Sequence, residues 1–325
     1  INGGVTLEGT TLEGRTYGVY TRLSGNTDYP DSQDFNGNTS NGARLSLNDN
    51  TIIGLVGVQI QSDDDFEDED AIGRIDIING ATFKNSVYAN LIEINSGGRV
   101  EFSGTESGTE VSGADESGGL TDTTIDLNGN AVELVLGTGV TVRGDIVKSE
   151  DSINSTVDFL GAATVTGDLG VSSGSGDATL DEVIVRGDVS NPVVINGSLA
   201  TDLLTYEANN RMRVDGDVLL NVNTSSESSQ NRVNFQDNDG TLEVGGNLVG
   251  VEGKNAVTTT QANTGTVTML GDNTAGGEAQ SITGNIGTDT FAISTLNVGG
   301  DGALASTTTV DGDVFAQNVV LDNNG

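Results

Sequence analysis

The residues of this chain best equipped to do chemistry are carboxylates. Ser62-Asp-Asp-Asp-Phe-Glu-Asp-Glu-Asp70 sets seven of them in eight positions: Asp63, Asp64, Asp65, Glu67, Asp68, Glu69 and Asp70. Two readings fit such a run. A block of like charge is ordinarily a solvated loop, whereas a hard divalent cation takes several oxygen ligands and relieves the repulsion, so Ca2+ is the one cofactor the sequence points to. The run lacks the spaced Asp-x-Asp-x-Asp-Gly order of an EF-hand, and no glycine-rich nonapeptide calcium repeat occurs. Asp237-Asn-Asp239-Gly240 is a second oxygen-rich stretch, with Asp237 and Asp239 as candidate ligands and a plain β-turn as the competing reading.

Catalysis has less to work with. The chain holds no His and no Cys, which removes Ser-His triads, imidazole acid-base chemistry and the common zinc sites. Gly170-Val-Ser172-Ser-Gly174 fits the letters of a nucleophile elbow but has neither a histidine partner nor a strand-turn-helix setting. Carboxylate catalysis on polysaccharides stays open, although sugar clefts favour aromatic platforms and the chain has 5 Tyr, 8 Phe and no Trp. The expectation is a protein that is not an enzyme, with a polysaccharide-active enzyme as an outlying alternative.

A third feature is the tripeptide Arg143-Gly144-Asp145, repeated as Arg186-Gly187-Asp188. Both copies are candidates for adhesion to a host or neighbouring cell. Both also belong to a wider pattern: apolar, any residue, Gly, Asp or Asn, apolar. It recurs at Val142–Ile146, Val165–Leu169, Val185–Val189, Val214–Val218, Val244–Leu248, Ile282–Ile286 and Val310–Val314, with Ile195-Asn-Gly-Ser-Leu199 as a relaxed copy. Successive glycines of the strict copies lie 23, 20, 29, 30, 38 and 28 residues apart. The residue before Gly varies freely, so Arg143 and Arg186 read as unconstrained outward positions of a structural corner. In such a corner Gly supplies φ > 0, Asp or Asn bonds its own local backbone, and the flanking apolar residues return to the interior.

The elements that carry these corners are strands. Val132, Leu134 and Leu136 alternate, as do Val140 and Val142, Val157 and Phe159, Val183 and Val185, Met212 and Val214, Leu242 and Val244, and Val267 and Met269. Each run is short and bounded by Gly, Asn, Asp or Ser, and none of comparable strength has helical spacing. An imperfect repeat of 20–40 residues is the signature of a solenoid, here an all-β parallel β-helix in which the corners stack as one ladder. At roughly 25 residues per rung it would hold on the order of 13 rungs and reach about 60 Å. Composition agrees: 47 Gly, 2 Pro and 34% hydrophobic residues suit a thin core under a large surface better than one thick core.

The N-terminal part, 1–123, is less regular than 124–325, but both are expected to form one continuous rod. Thr16–Thr21 and Ile52–Ile60 read as strands and the stretch 24–42, which contains Pro30, as a surface loop. The net charge of −35, with basic residues scattered singly, repels nucleic acid and anionic membrane. No apolar run reaches the ~18 residues of a membrane helix, and the sequence opens at Ile1 without a charged-then-apolar leader, a signal being either removed before this point or never present.

Thr124-Ile-Asp-Leu-Asn-Gly-Asn-Ala-Val-Glu-Leu-Val-Leu-Gly-Thr-Gly-Val-Thr-Val-Arg-Gly-Asp-Ile146 resembles the passenger domains of bacterial autotransporters. The segment from Ile282 to Gly299 is similar to repeats of the large rickettsial-type outer-membrane surface antigens, and with the corners the likeness spans 124–325. The resemblance implies a right-handed parallel β-helix, secreted through the outer membrane and displayed on the bacterial surface as an adhesin, a self-associating protein or a surface-layer subunit. The alternating aromatic strands of an autotransporter barrel do not occur up to Asn323-Asn-Gly325: the barrel is cleaved off, lies outside this sequence or was never encoded, and only the last of these suits a free layer or filament protein. The expected function is therefore an extracellular structural protein that associates with itself into a layer or filament with calcium bridging, and adhesion to other cells is the alternative.

Overall fold

In the computed structural model the described residues are 5–9, 11–12, 17–24, 44–48, 50–52, 55–61 and 74–321. The last range excludes 96, 105–107, 115–119, 149–153, 171–178, 187–191, 221–230, 272–278 and 300–306. Among them the secondary structure is all-β. Every run named above for its alternation lies in a strand, and the apolar members of each are buried. The cause is period two: Val132, Leu134 and Leu136 face inward while Glu133 between them faces water.

The strands build three stacked parallel sheets, each strand pairing with one two to four places later in the chain. The first sheet begins at Val5–Glu8, the second at Thr11–Leu12 and the third at Tyr17–Ser24. The third stacks twelve parallel strands in chain order and ends at Ala316–Leu321. Leu199–Tyr206 is long enough to turn from the first sheet into the second, its Leu199 half pairing with Val218–Leu219 and its Leu203 half with Arg232–Asn234. The one antiparallel pairing among the described residues is Gly113–Ala114 against Leu120–Thr121. The chain is thus a parallel β-solenoid in outline. Its advance per turn ranges from 17 residues, where Leu91 lies against Arg74, to 40, where Leu45 lies against Val5. Pairing crosses the boundary at 123/124 unbroken, with Leu91–Ile94 against Thr124–Leu127. The expected loop at 24–42 lies outside the described residues from 25 onward.

Residues in register form vertical files, whose interior members make the core. In the first sheet one file runs Val5, Leu45, Ile75, Ile92, Ile125, Ile146, Leu169, Leu199, Val218, Leu248, Ile282, Val310. In the third, another runs Val19, Val56, Val87, Val111, Val142, Val165, Ile195, Val214, Val244, Met269, Val298, Leu321. The interior members from Leu45 to Ile282 and from Val56 to Met269 are fully buried. The second sheet stacks rings: Phe83 lies on Phe102 at 5.0 Å, and Tyr206 meets Phe235 at 4.7 Å. Each rung alone has too few apolar residues for a core, so its burial comes from the rungs above and below.

The single corner ladder expected from the sequence divides among three corners. Val142, Val165, Ile195, Val214 and Val244 stand on the third sheet, so these five copies turn the chain from the third sheet to the first. Val185 ends a strand of the second sheet, and the copies at Ile282 and Val310 leave the first. Gly-Asx between two apolar residues redirects a strand wherever a turn is required, and sequence letters carry no record of which faces it joins.

Candidate interaction surfaces

The corner from the third sheet to the first is held by a ladder of side-chain oxygens. Asp145 Oδ1 accepts the Asp168 N–H at 2.7 Å, Asp168 Oδ1 the Ser198 N–H at 2.7 Å, and Ser198 Oγ the Asp217 N–H at 3.2 Å. Asp217 Oδ1 accepts the Asn247 N–H at 2.6 Å, and Asn247 Oδ1 the Ser281 N–H at 2.9 Å. The expected bond from Asp or Asn to its own local backbone is therefore replaced by one to the next rung. Glycines make the approach possible: Gly167, Gly197, Gly216 and Gly246 each donate to the carbonyl of the glycine one rung before, at 2.9–3.1 Å. At Gly144, with φ of 119°, a Cβ would run into the Thr123 carbonyl. The relaxed copy at Ser198 is a full member, since a hydroxyl accepts as a carboxylate does. Where no glycine follows Gly246, Gln280 closes the corner, its Nε2 donating to the carbonyls of Gly245 and Gly246 at 2.7 Å each.

These contacts decide what the Arg-Gly-Asp tripeptides present. Asp145 is committed to the ladder, and Arg143 Nε lies 3.2 Å from Glu110 Oε1. Arg186 bridges Asp158, with Nε at 2.9 Å from Oδ1, and Glu207. Gly187 and Asp188 lie outside the described residues. The reading of Arg143 and Arg186 as unconstrained positions is corrected: at −35 a carboxylate stands within reach of each cation, on a neighbouring rung. The same stapling recurs where Arg99 meets Glu133 at 2.6 Å, Arg74 meets Asp76 and Glu93, and Arg211 meets Glu243 at 2.7 Å. Burial works against the Arg186 cation, but the hydrogen bond and charge of Asp158 outweigh it and hold the guanidinium above its ordinary value. The Ser103 hydroxyl, donating to Glu101 at 2.6 Å, holds that carboxyl below its usual range against opposing desolvation, with help from Arg99.

Two buried polar groups had no signal in the sequence. Lys148, 3% exposed, takes the place after Val147 on the first sheet and reaches Asp181 Oδ2 at 3.0 Å, an oxygen that also accepts the Ser155 N–H at 2.7 Å. Tyr206 is wholly buried, and its hydroxyl donates to the Thr241 carbonyl at 3.1 Å; burial pushes the phenol well above its ordinary value, with Glu243 adding to the shift.

Among the proposed calcium ligands, Asp63, Asp64, Asp65, Glu67, Asp68, Glu69 and Asp70 lie outside the described residues, as do 171–174 of the serine motif. Asp237 and Asp239 are exposed on a turn closed by Asn238 N–H to the Phe235 carbonyl at 2.9 Å, with Gln236 at φ 52°. Among the described residues no three His, Cys, Asp or Glu side chains converge as a metal group, and no helix is long and apolar enough to cross a membrane.

The last surface is the outer face of Ala316–Leu321. Val319 and Leu321 stand in register with Leu296 and Val298 and are 56% and 74% exposed. Val314, in register with Ile286, is likewise exposed. The chain matches no protein-family model, no curated protein and no solved structure.

Proposed function

We propose that this chain is a right-handed parallel β-helix with rungs of irregular length that serves as an extracellular structural protein of the bacterial cell surface, associating with itself into a layer or filament. The observation that carries the reading is the continuity of the three parallel sheets from Val5 to Leu321. A chain whose residues go into length rather than around a cavity presents a periodic surface, which is what a layer or filament subunit needs. Twelve strands at about 4.8 Å give a rod of about 58 Å. Calcium enters as the bridge between subunits of charge −35, with the run from Asp63 to Asp70 as its first candidate contact. The likeness of 124–325 to autotransporter passengers supports secretion through the outer membrane. Adhesion through the tripeptides is the weaker reading, since Arg143, Asp145 and Arg186 are already engaged within the fold.

Electron microscopy of the purified chain with millimolar calcium, and again after chelation, tests the proposal. Ordered sheets or fibres in calcium are the expected result, and their dissolution by chelator assigns the bridge to the ion. Single rods under every condition, together with saturable binding to cells, would move the function to adhesion.

A further inference from the structure

The outer faces of the three sheets differ in charge. Beside the first-sheet file residues Ile146, Leu169 and Val218 stand Asp145, Asp168 and Asp217, none of them in an ion pair among the described residues. The outward positions of the second sheet from Arg99 to Arg232 set Glu101, Glu133, Asp158 and Glu182 against those two cations. The third sheet is the exception. From Val140–Val142 to Ile293–Val298 its outward positions carry three charged residues, Arg211, Arg213 and Glu243. Arg211 meets Glu243 at 2.7 Å, and Arg213 meets Asp215 of the adjoining corner at 2.6 Å. Around them stand Thr141, Thr164 and Val194 on three successive rungs, and Thr241, Thr266 and Thr295 on three more. Asn297 Nδ2 donates to Thr268 Oγ1 at 3.1 Å, which holds two of these outward side chains in place. A chain of −35 thus has one long sheet face on which the charges cancel.

Resting on the self-association reading above, we propose that this face is where a second copy docks, third sheet against third sheet. Charge selects the occupant. Two copies that meet through their first or second sheets set surplus carboxylates against one another, and like charges juxtaposed across an interface oppose binding. Two that meet through the third sheet bring together matched ion pairs, hydroxyls and the Val194 side chain. The repulsion left over comes from the remainder of each surface and is screened beyond about 8 Å at physiological salt. Parallel strands at constant spacing give the face the form in which two sheets pack, about 10 Å apart. Arg211 and Arg213, with side chains 43% and 37% exposed, are open to a partner. Size then fixes the strength. Seven strands span about 34 Å and each is about 15 Å wide, roughly 500 Å² per copy and 1,000 Å² in all, the lower bound of a specific interface. The contact is therefore weak and depends on concentration. Because both copies use the same patch it is isologous and closes as a dimer, the unit from which calcium bridging would build the layer.

Sedimentation velocity of the intact chain in chelator tests the contact apart from any calcium bridge. The parent is expected to pass from single rods to dimers as concentration rises, and at lower concentration in moderate salt than in low salt. Thr266→Asp with Thr295→Asp sets carboxylates on the neutral face and is expected to weaken the dimer by about tenfold or more. Thr266→Lys with Thr295→Lys should weaken it as well, since like charges again meet across a twofold contact. Thr124→Asp with Thr283→Asp, on the outward side of the first sheet, should leave it unchanged. Circular dichroism and thermal unfolding check that each variant keeps the fold, and Val194→Lys, on a separate rung, gives an independent reading where one does not. A lysine pair that tightens association would overturn the like-on-like contact in favour of docking on an acidic face. Dimers unchanged by every third-sheet variant would overturn the contact and leave self-association through another face standing. A parent chain that stays single across concentration and salt, with and without calcium, would overturn both.

Discussion

At the scale of residues, the chemistry-bearing groups of this chain act mainly on its own backbone. Asp145 shows the point. As part of an Arg-Gly-Asp tripeptide it reads as an adhesive carboxylate, yet its Oδ1 accepts the Asp168 N–H at 2.7 Å. Asp145→Ala leaves that donor without its partner and should lower the unfolding free energy by about 1–2 kcal/mol in urea denaturation, while Asp145→Asn, which keeps an acceptor oxygen, should stay close to the parent. Equal stability of Asp145→Ala and the parent would remove the ladder as a stabilising device. A loss of cell binding in Asp145→Ala therefore needs the Asn variant beside it, since the asparagine keeps the corner and removes only the charge. Lys148 is a second case. Truncation to Ala breaks a pair with one buried member, and because Asp181 is a third exposed the loss should fall at about 2–3 kcal/mol, below that of a fully buried pair. Lys148→Met, which retains a buried aliphatic stem, is expected to recover part of it; equal losses in the two variants would show that the charge alone matters.

At the scale of elements, each rung is stable only through its neighbours, and the second sheet carries the bulkiest contacts. Tyr206 packs on Phe235 with its phenol held above the ordinary value by burial, then by Glu243. A raised value for the folded state means that its contribution is complete below the unfolded value near pH 10 and is lost as pH rises from there toward the folded value. Tyr206→Phe should forfeit about 1 kcal/mol of hydrogen bonding at neutral pH. The difference between parent and variant should then shrink above about pH 10 in pH-dependent unfolding; a difference constant through that range would contradict the burial of an un-ionised phenol. The strands themselves were readable because alternation such as Val132, Leu134, Leu136 maps directly onto an inward face. Corner assignment was not, because Val185-Arg-Gly-Asp-Val189 and Val142-Arg-Gly-Asp-Ile146 share letters but leave different sheets. The reach of Asp145 to the next rung was equally hidden, since a hydrogen bond across 23 residues depends on how rungs stack and no local window contains it. Gln280 and Lys148 fill positions that other rungs give to Gly or an aliphatic residue, and only register identifies them.

At the scale of the whole molecule, three sheets running from the first described rung to the last make length the property that the sequence encodes. The charge of −35 keeps such rods apart in dilute solution, and cation bridging would work against that repulsion. The carboxylates that staple neighbouring rungs through Arg74, Arg99, Arg186 and Arg211 are partly neutralised. The run from Asp63 to Asp70 contains no basic residue, which makes it the stretch with most to gain from a divalent ion. The most direct test of the account is the diffraction pattern of assemblies grown in calcium and imaged by electron microscopy. A self-associating β-solenoid should give a reflection along the rod axis near 4.8 Å, the spacing of its stacked parallel strands. Dispersed particles, or assemblies lacking the axial strand spacing, would contradict it.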